Sequence, residues 1–444
     1  MSGGMSGGMS GRMVGDGTRV VITGIGAIAA VGTGTSAYWE AIAKGTPGLD
    51  RITRFDPSGY PCNVAGEARG FDPAEHIERR LIVQTDRWTQ LGLAAGNMAF
   101  ADGAYDPADR DPYRTGVITA TSSGGNEFGQ REIGRLWAEG PRSVGPYQSI
   151  AWYYAATTGQ VSIHRGIKGP CGVVASDGAG ALDAIGRGCR LLRRDGIDAA
   201  LAGGTEAPVS PYALACQLRS GRLSNSPDPN TAYAPFTSWA RGHVPGEGGA
   251  MLLLETAASA RRRAAPRVYA EVTGYSASHD GQRGATAADG RQLARTLRSA
   301  ISAAGLGPGD IDAVFADGAA VPELDRAESQ AINAALENRP VPVTVPKTMT
   351  GWLYSGGAAL DVATAALALL HGVLPPTIGP ADLAPGCQLN IVRRATVLPL
   401  RHILIVARGY GGFNAAVVLS RPDICTSAAG DAQSNGGDNH DLER

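Results

Sequence analysis

The chain has 444 residues, of which 43% are hydrophobic and 18% charged, and its formal net charge at pH 7 is −1. This length allows two domains or one double-sized domain, and the balanced charge, with no basic block beyond residues 261–263, argues against nucleic-acid binding. We find no run of 18 apolar residues and no hydrophobic leader, so we expect a cytoplasmic protein with no membrane partner.

The two ends of the sequence differ from the rest in composition. Residues 1–11 read MSGGMSGGMSG, and residues 426–444 are mostly small and polar. Segments of this kind bury too little apolar surface to hold a fixed structure. We therefore expect a disordered N-terminal extension over residues 1–17 and a disordered tail over residues 422–444.

The cysteines form no CxxC pair and have no set of His residues beside them, which favours reduced packing residues over disulfides or a metal site. We expect no metal and no cofactor. Cys171, on the strand before the central turn, is expected to be a buried small hydrophobe rather than a displaced nucleophile. The cysteines are Cys62, Cys171, Cys189, Cys216, Cys387 and Cys425.

Apolar patterns predict alternating strands and helices in the first half of the chain. The predicted elements are a strand over 19–28, helices over 37–43 and 85–101, a strand over 113–121, a helix over 127–137, a strand over 199–205, and a strand pair ending at 251–255. On the helix over 127–137, four apolar residues can share much of one face, namely Phe128, Ile133, Leu136 and Trp137.

A sharp strand-to-helix turn is predicted at residues 177–180, with Gly178 at its tip. Val173 and Val174 end a buried strand, and an apolar helical pattern begins at Leu182. The N-terminus of a helix can stabilise a thiolate or an oxyanion, so such a turn is a common place for a nucleophile. Gly178 has no side chain. The turn is therefore either an ordinary crossover that needs small residues or a catalytic turn that has lost its catalytic residue.

The second half of the chain repeats the element order of the first. Its predicted elements are strands over 268–278, 311–316 and 342–345, helices over 290–304 and 357–370, and closing strands over 403–408 and 415–419. This alternation predicts an α/β protein with a largely parallel sheet. We expect two fused halves, over residues 18–260 and 261–421, with sites converging between them at the strand ends.

Five motifs in order give the sequence a family resemblance. From residue 18 to residue 421 the chain resembles the ketosynthases of the thiolase-like fold. The resemblance implies two pseudo-symmetric halves in a five-layered αβαβα arrangement. The motifs are GP…VV…GxLDA at 169–184, VPGEGGA at 244–250, DGAAVPELDRAE at 317–328, PKTMTG at 346–351 and GYGGFN at 409–414.

The resemblance places other residues at all three reactive positions. In active ketosynthases of this family a Cys at the central turn is acylated, two His assist decarboxylation of the malonyl extender, and a Lys, an Asp and a Glu support that site. Here the three reactive positions are occupied by Gly178, Asp317 and Trp352. The supporting residues are kept as Lys347, Asp325 and Glu328, which we expect to form a structural network of ion pairs and hydrogen bonds.

These replacements predict a chain that does not condense acyl groups by itself. Gly178 cannot attack, an ionised Asp317 would repel a developing enolate, and Trp352 offers one donor on a bulky ring. A ketosynthase relative without its reactive residues looks like the chain-length factor, or ketosynthase β subunit, of type II polyketide synthases. Many chain-length factors carry Gln at the central turn, and this chain departs from them with Gly178.

In the family that the sequence resembles, the helix equivalent to residues 127–137 lines the end of a tunnel shared with the active α subunit. By position, the gate of this tunnel would be Asn126, Gly129 and Ile133, spaced about one turn apart. Their modest volumes predict a deep tunnel and a long product. The alternative is that they serve ordinary core and dimer packing.

The resemblance implies a non-catalytic subunit that forms a heterodimer with a ketosynthase α subunit and fixes the length of a poly-β-keto chain, with an acyl carrier protein reaching it through the complex. Two alternatives remain open. The chain could be a stand-alone decarboxylase or hydrolase of acyl thioesters that uses Asp317 or Ser176, or a purely structural scaffold of the synthase. His164 and His243 are isolated in the sequence, and packing or hydrogen-bonding roles are expected for them.

Overall fold

The computed structural model describes residues 18–194, 196–281 and 289–423, so the predicted N-terminal extension, nearly all of the predicted tail and Cys425 lie outside the described residues. The strands are β1 (Val20–Ala29), β2 (Gly32–Thr33), β3 (Asp50–Arg51), β4 (Val64–Ala65), β5 (Thr115–Ala120), β6 (Cys171–Val174), β7 (Ala199–Glu206), β8 (Gly248–Thr256), β9 (Ala270–His279), β10 (Ala313–Phe315), β11 (Pro342–Thr344), β12 (Val373–Leu374), β13 (Asn390–Ile391), β14 (Thr396–Val397), β15 (His402–Gly409) and β16 (Phe413–Ser420).

The helices agree closely in position with those predicted at residues 37–43, 85–101, 127–137, 290–304 and 357–370. They are α1 (Thr35–Lys44), α2 (Arg79–Gln84), α3 (Arg87–Asp102), α4 (Asn126–Glu139), α5 (Gln148–Ala151), α6 (Ala156–Arg165), α7 (Gly180–Arg193), α8 (Pro211–Leu218), α9 (Ala257–Arg262), α10 (Arg291–Ala303), α11 (Pro322–Ala335), α12 (Lys347–Thr350) and α13 (Ser355–His371). Among the described residues, no helix is both long and apolar enough to cross a membrane.

The two halves of the chain have the same strand order. The first half runs β6-β5-β7-β8-β1 across its sheet, and the second runs β11-β10-β15-β16-β9. A short antiparallel pairing of β1 with β9, through Val21 with Glu271 and Ile22 with Ala270, joins the two sheets. The predicted repeat of element order is therefore confirmed. The boundary predicted between residues 260 and 261 falls within α9, between β8 and β9, and remains a prediction.

The prediction of a largely parallel sheet is wrong, because each half is mixed. In the first half β5 pairs in parallel with β6 and β7, whereas β8 is antiparallel to both β7 and β1. The second half repeats this pattern around β10. The physical reason is clearest at β15 and β16, where the tight connection over residues 410–412 can join only antiparallel neighbours.

Helices α7 and α13 form the central layer between the two sheets. Alternate residues of β8 face opposite ways: Leu252 and Leu254 join the core around these helices, whereas Met251 and Leu253 join an outer core beneath α3 and α6. In the second half, the strands also pack outward against α10 and α11. Because the strands are covered on both faces, they read as continuous apolar runs in the sequence. The five layers predicted from the resemblance are confirmed.

Candidate functional site

The central turn has the predicted strand-to-helix geometry. From β6 the chain passes through a tight helical turn at Asp177–Ala179 and enters α7. Asp177 has a φ of 51°, a left-handed conformation that is costly for a residue with a side chain. Two contacts compensate for it: the amide of Tyr410 donates to Asp177 Oδ2 at 2.7 Å, and the Ser355 hydroxyl donates to the Asp177 carbonyl at 2.8 Å.

Gly178 is buried beneath two neighbours that leave no room for a side chain. A Cβ at this position would lie 2.3 Å from the carbonyl oxygen of Arg408 and 3.2 Å from Cζ2 of Trp352. The first distance is far shorter than any normal contact, and it involves backbone at the end of β15 rather than a movable side chain. A Cys or a Gln could therefore occupy this position only if the backbone at Arg408 moved.

Asp317 is buried and bound to its neighbours through backbone groups. Its own amide donates to Glu328 Oε1 at 2.6 Å, and the amide of Arg408 donates to its Oδ1 at 3.1 Å. Its Oδ2 is buried without a hydrogen-bond partner. Burial, reinforced by the charge of Glu328, raises the pKa of Asp317 to about 8. Burial therefore favours the protonated form of this carboxyl, whereas the sequence predicted an ionised, repelling carboxylate.

Trp352 stacks on His243 inside the site, with ring centroids 5.0 Å apart and the planes inclined by 28°. Both side chains are buried, and Nδ1 of His243 has no hydrogen-bond partner. Burial, aided by the positive charge of Arg222, lowers the pKa of His243 to about 3, so its imidazole is neutral. The packing role expected for His243 is thus confirmed, and its partner is the ring of Trp352.

The three supporting residues are all buried but do not form one network of ion pairs. Lys347 forms its ion pair with Asp361 of α13, and its Nζ also donates to the carbonyl of Ala316 at 3.3 Å. Glu328 accepts the amides of Asp317 and Gly318. The carboxylate of Asp325 accepts the amide of Phe236 at 2.6 Å. Lys347 and Glu328 therefore brace the backbone at residues 316–318, and Asp325 holds the backbone at Phe236. The role of these residues in the site remains a prediction.

An open cleft of about 490 Å³ lies next to these groups. Three features of the chain meet along its wall: the degenerate positions Asp317 and Trp352, the connection between β15 and β16, and Asn126 at the start of α4. Gly178 is not part of the wall, because Trp352 and Arg408 cover it. Within the described residues, no cluster of His, Cys, Asp and Glu could hold a metal ion.

The three predicted gate residues lie on α4 in different environments. Asn126 lines the cleft, Gly129 is buried, and Ile133 is 44% exposed. The start of this helix is fixed by Asp86, whose Oδ2 accepts the amide of Phe128 at 2.7 Å. The absence of a side chain at Gly129 was expected to deepen the tunnel. The space beside this glycine is filled instead, because the indole of Trp152 packs directly against it.

Exposed apolar side chains surround α4. We call them the apolar face. It includes three of the four apolar residues predicted to share one side of this helix, whereas the fourth, Phe128, is buried. The edge strand β6 also lacks a partner on its outer side among the described residues, and this leaves Cys171 exposed rather than buried as predicted. The apolar face consists of Ile133, Leu136, Trp137, Ile150, Trp152, Tyr153 and Tyr154.

Sequence patterns gave no role to Asp361 and Trp152, which shape the site, and for His243 they predicted packing or hydrogen bonding without a partner. His243 directly precedes the motif at 244–250, and this adjacency was the available signal. Asp361 is the one acidic residue in the otherwise apolar and small-residue helix α13, and a buried carboxylate requires a partner. Trp152 carried no signal, because its contact with Gly129 depends on how two helices pack.

Comparisons with known proteins agree with this geometry. The models of the β-ketoacyl synthase family match residues 17–260 (N-terminal domain) and 269–380 (C-terminal domain). The chain is 49% identical, over 90% of its length and 98% of the relative, to the tetracenomycin polyketide synthase ketoacyl synthase beta subunit of Streptomyces glaucescens.

Two solved structures are similar over 91% of this chain and 99% of each matched chain. The ishigamide ketosynthase/chain length factor matches with a TM-score of 0.86 and 30% identity. A type II polyketide synthase acyl-carrier protein in complex with its ketosynthase bound to the hexaketide matches with a TM-score of 0.83 and 25% identity.

Proposed function

Because the chain belongs to the β-ketoacyl synthase family, and within it to the ketosynthase β subunits, or chain-length factors, of type II polyketide synthases, we propose that it is a non-catalytic subunit that fixes the length of a poly-β-keto chain. The observation that carries this proposal is that the central turn has no space for a nucleophilic side chain. Gly178 supplies no nucleophile, and the Arg408 carbonyl occupies the space in which one would begin. The chain therefore contributes shape rather than reactivity.

The partner is an active ketosynthase α subunit, which supplies the Cys and the two His. Two features of this chain support the pairing: the apolar face around α4 and the uncovered edge of β6. Exposed aromatic clusters and unpaired strand edges are surfaces that proteins normally cover. An acyl carrier protein delivers its cargo to the complex, as in the ketosynthase complex to which this chain is similar.

The growing chain ends against α4, at a gate formed by Asn126, Gly129 and Ile133. Asn126 lines the cleft beside the degenerate positions, and Ile133 lies on the apolar face. The helix that carries them begins at a fixed position, because Asp86 binds the Phe128 amide. A gate must be rigid to measure length, since a mobile wall would release products of mixed size.

The relatives do not favour a stand-alone acyl-thioester enzyme, and neither candidate nucleophile is suited to that chemistry. The Ser176 hydroxyl is buried and donates to Asp183 Oδ2 at 2.5 Å. Asp317 is largely protonated at pH 7, since its pKa is raised to about 8. A hydrolase requires a base beside its nucleophile, and no His in the described part of the chain forms a hydrogen bond with Ser176.

The proposal is tested by reconstitution with a ketosynthase α subunit that carries the Cys and the two His. The chain alone, the α subunit alone and the purified heterodimer are each incubated with malonyl-loaded carrier protein, and carbon dioxide release and product mass are measured. We expect full-length product from the heterodimer and neither condensation nor decarboxylation from this chain alone. Turnover by the isolated chain would contradict the proposal, as would a native assembly without a Cys-bearing ketosynthase.

A further inference from the structure

The contact between Gly129 and Trp152 bears directly on the gate. A Cβ added at Gly129 would lie 2.8 Å from Cδ1 and 3.3 Å from Nε1 of Trp152. The indole therefore stands where a side chain at residue 129 would project. From this geometry we infer that Trp152 is a further residue that determines chain length, and that it supplies the bulk that Gly129 lacks. The inference rests on the proposed function and adds a specificity residue to the same gate.

Trp152 reaches Gly129 because glycine lets two backbone segments approach closely. A Cβ at Gly125, the residue before α4, would lie 2.1 Å from the carbonyl oxygen of Ala151 and 2.8 Å from the Cα of Trp152. Any residue with a side chain would force these segments apart. The close approach places the end of α5 against the first turn of α4. The indole then extends along the helix by about one turn, to Gly129.

The position of the indole suits a wall that is shared with a partner. Trp152 is 56% exposed in the isolated chain and belongs to the apolar face, with Tyr153 and Tyr154 beside it. One side of the ring packs on Gly129, and the rest is free to meet the partner subunit or the product. A Trp side chain combines a large apolar area with few rotatable bonds, so it forms a well-defined stop.

This pairing changes what a substitution at Gly129 should do. The atom that a new Cβ meets belongs to a side chain at the protein surface, which can rotate away, rather than to backbone. A larger residue at 129 therefore displaces the indole, and the resulting gate depends on both residues together. The effects of the two positions on product length should be strongly non-additive, as for residues in direct contact.

The test uses the reconstituted heterodimer, with the distribution of product lengths measured by mass spectrometry. For Trp152→Ala we expect a shift to products longer by about one or more ketide units, because the space over Gly129 opens. Trp152→Phe keeps an aromatic ring on Gly129 and should give an intermediate shift, and it keeps the test decisive should the Ala variant assemble poorly. Gly129→Ala should change the distribution in the wild-type background and much less in the Trp152→Ala background.

Two controls match these variants. Gly134 lies on the same helix with open space around its Cα, so Gly134→Ala should leave product length unchanged. Trp239 is half-exposed, like Trp152, but lies outside the apolar face, and Trp239→Ala should likewise preserve length in heterodimers that form.

The outcomes separate this inference from the proposed function. If both Trp152 variants give the wild-type distribution while Asn126→Phe or Ile133→Phe shortens the product, the inference is wrong and Trp152 only packs on α4. If no substitution at residues 126, 129, 133 or 152 alters length in an active heterodimer, the proposed control of length by this chain fails as well.

Discussion

Trp352 and His243 stack on each other inside the degenerate site, and each is less than a tenth exposed. The large ring of Trp352 is therefore a packing element of this chain. Trp352→Ala should reduce the free energy of unfolding by about 3–5 kcal/mol, the usual loss when a buried aromatic is truncated. Denaturant unfolding of the heterodimer measures this change. Trp239→Ala, at a half-exposed position, should cost clearly less, and equal losses would contradict the packing role.

Placing a Cys at the central turn should not give this chain acyl-transfer activity. Gly178→Cys places a Cβ 2.3 Å from the Arg408 carbonyl oxygen, so we expect a less stable protein that forms no acyl adduct with an acyl-carrier-protein donor, as judged by intact mass. Gly59→Cys is the matched control, because Gly59 is exposed with no heavy atom near its added Cβ, and it should keep wild-type stability. An acyl-enzyme on a Gly178→Cys variant of unchanged stability would show that the turn has room for a nucleophile.

The stability of the folded chain should depend on pH through Asp317. Its pKa is raised from 3.8 to about 8, so between these values the folded state keeps a proton that the unfolded chain has lost. Stability therefore falls as the pH rises through this window. Asp317→Asn cannot titrate and should lose less stability than wild type between about pH 5 and pH 8.

Unfolding by denaturant at a series of pH values gives the comparison. The pKa of Glu206 is also raised to about 8 and that of Asp86 to about 7 by burial, so both act in the same direction and both stay unchanged in the Asn variant. The charge of Asp317 also helps to raise the pKa of the buried Asp325, so the difference between the two curves reports Asp317 together with the carboxyl coupled to it. Parallel curves would mean that this carboxyl is not protonated in the folded protein.

The ion pair of Lys347 with Asp361 should be a strongly coupled pair, because both side chains are almost fully buried. Removing either partner alone, in Lys347→Met or Asp361→Leu, leaves an unpaired buried charge and should cost about 3–5 kcal/mol. The double variant should lose much less than the sum of the two. A double-mutant cycle on the unfolding free energy tests this, and additive losses would contradict the coupling.

Much of the fold follows from the sequence because most strands and helices carry strong local patterns. The apolar runs of β1 and β8 and the helical period of α10 indicated elements that the structure contains at nearly the same residues. Whether neighbouring strands run parallel or antiparallel was harder to predict, because it depends on the segments that connect them. The helix α11 was not predicted. Its first half lies in the motif at 317–328, which was interpreted only for its carboxylates, Asp325 and Glu328.

The site was predictable where it depends on residue identity and less so where it depends on packing. The motifs located Gly178, Asp317 and Trp352, and the structure brings the three together around Arg408 and the cleft. The protonation of Asp317 follows from burial, which residue type alone does not reveal. The contact of Trp152 with Gly129 joins residues 23 positions apart through a loop whose course the sequence pattern does not specify.

The uncovered edge of β6 has a consequence for how the cell makes this protein. A strand with unpaired amides and carbonyls will recruit another strand, which could come from a misfolded neighbour or from a second copy of this chain. Synthesis in step with the cognate subunit would cap the edge before such encounters occur. Unbalanced expression should therefore appear first as inclusion bodies and proteolytic turnover of this chain.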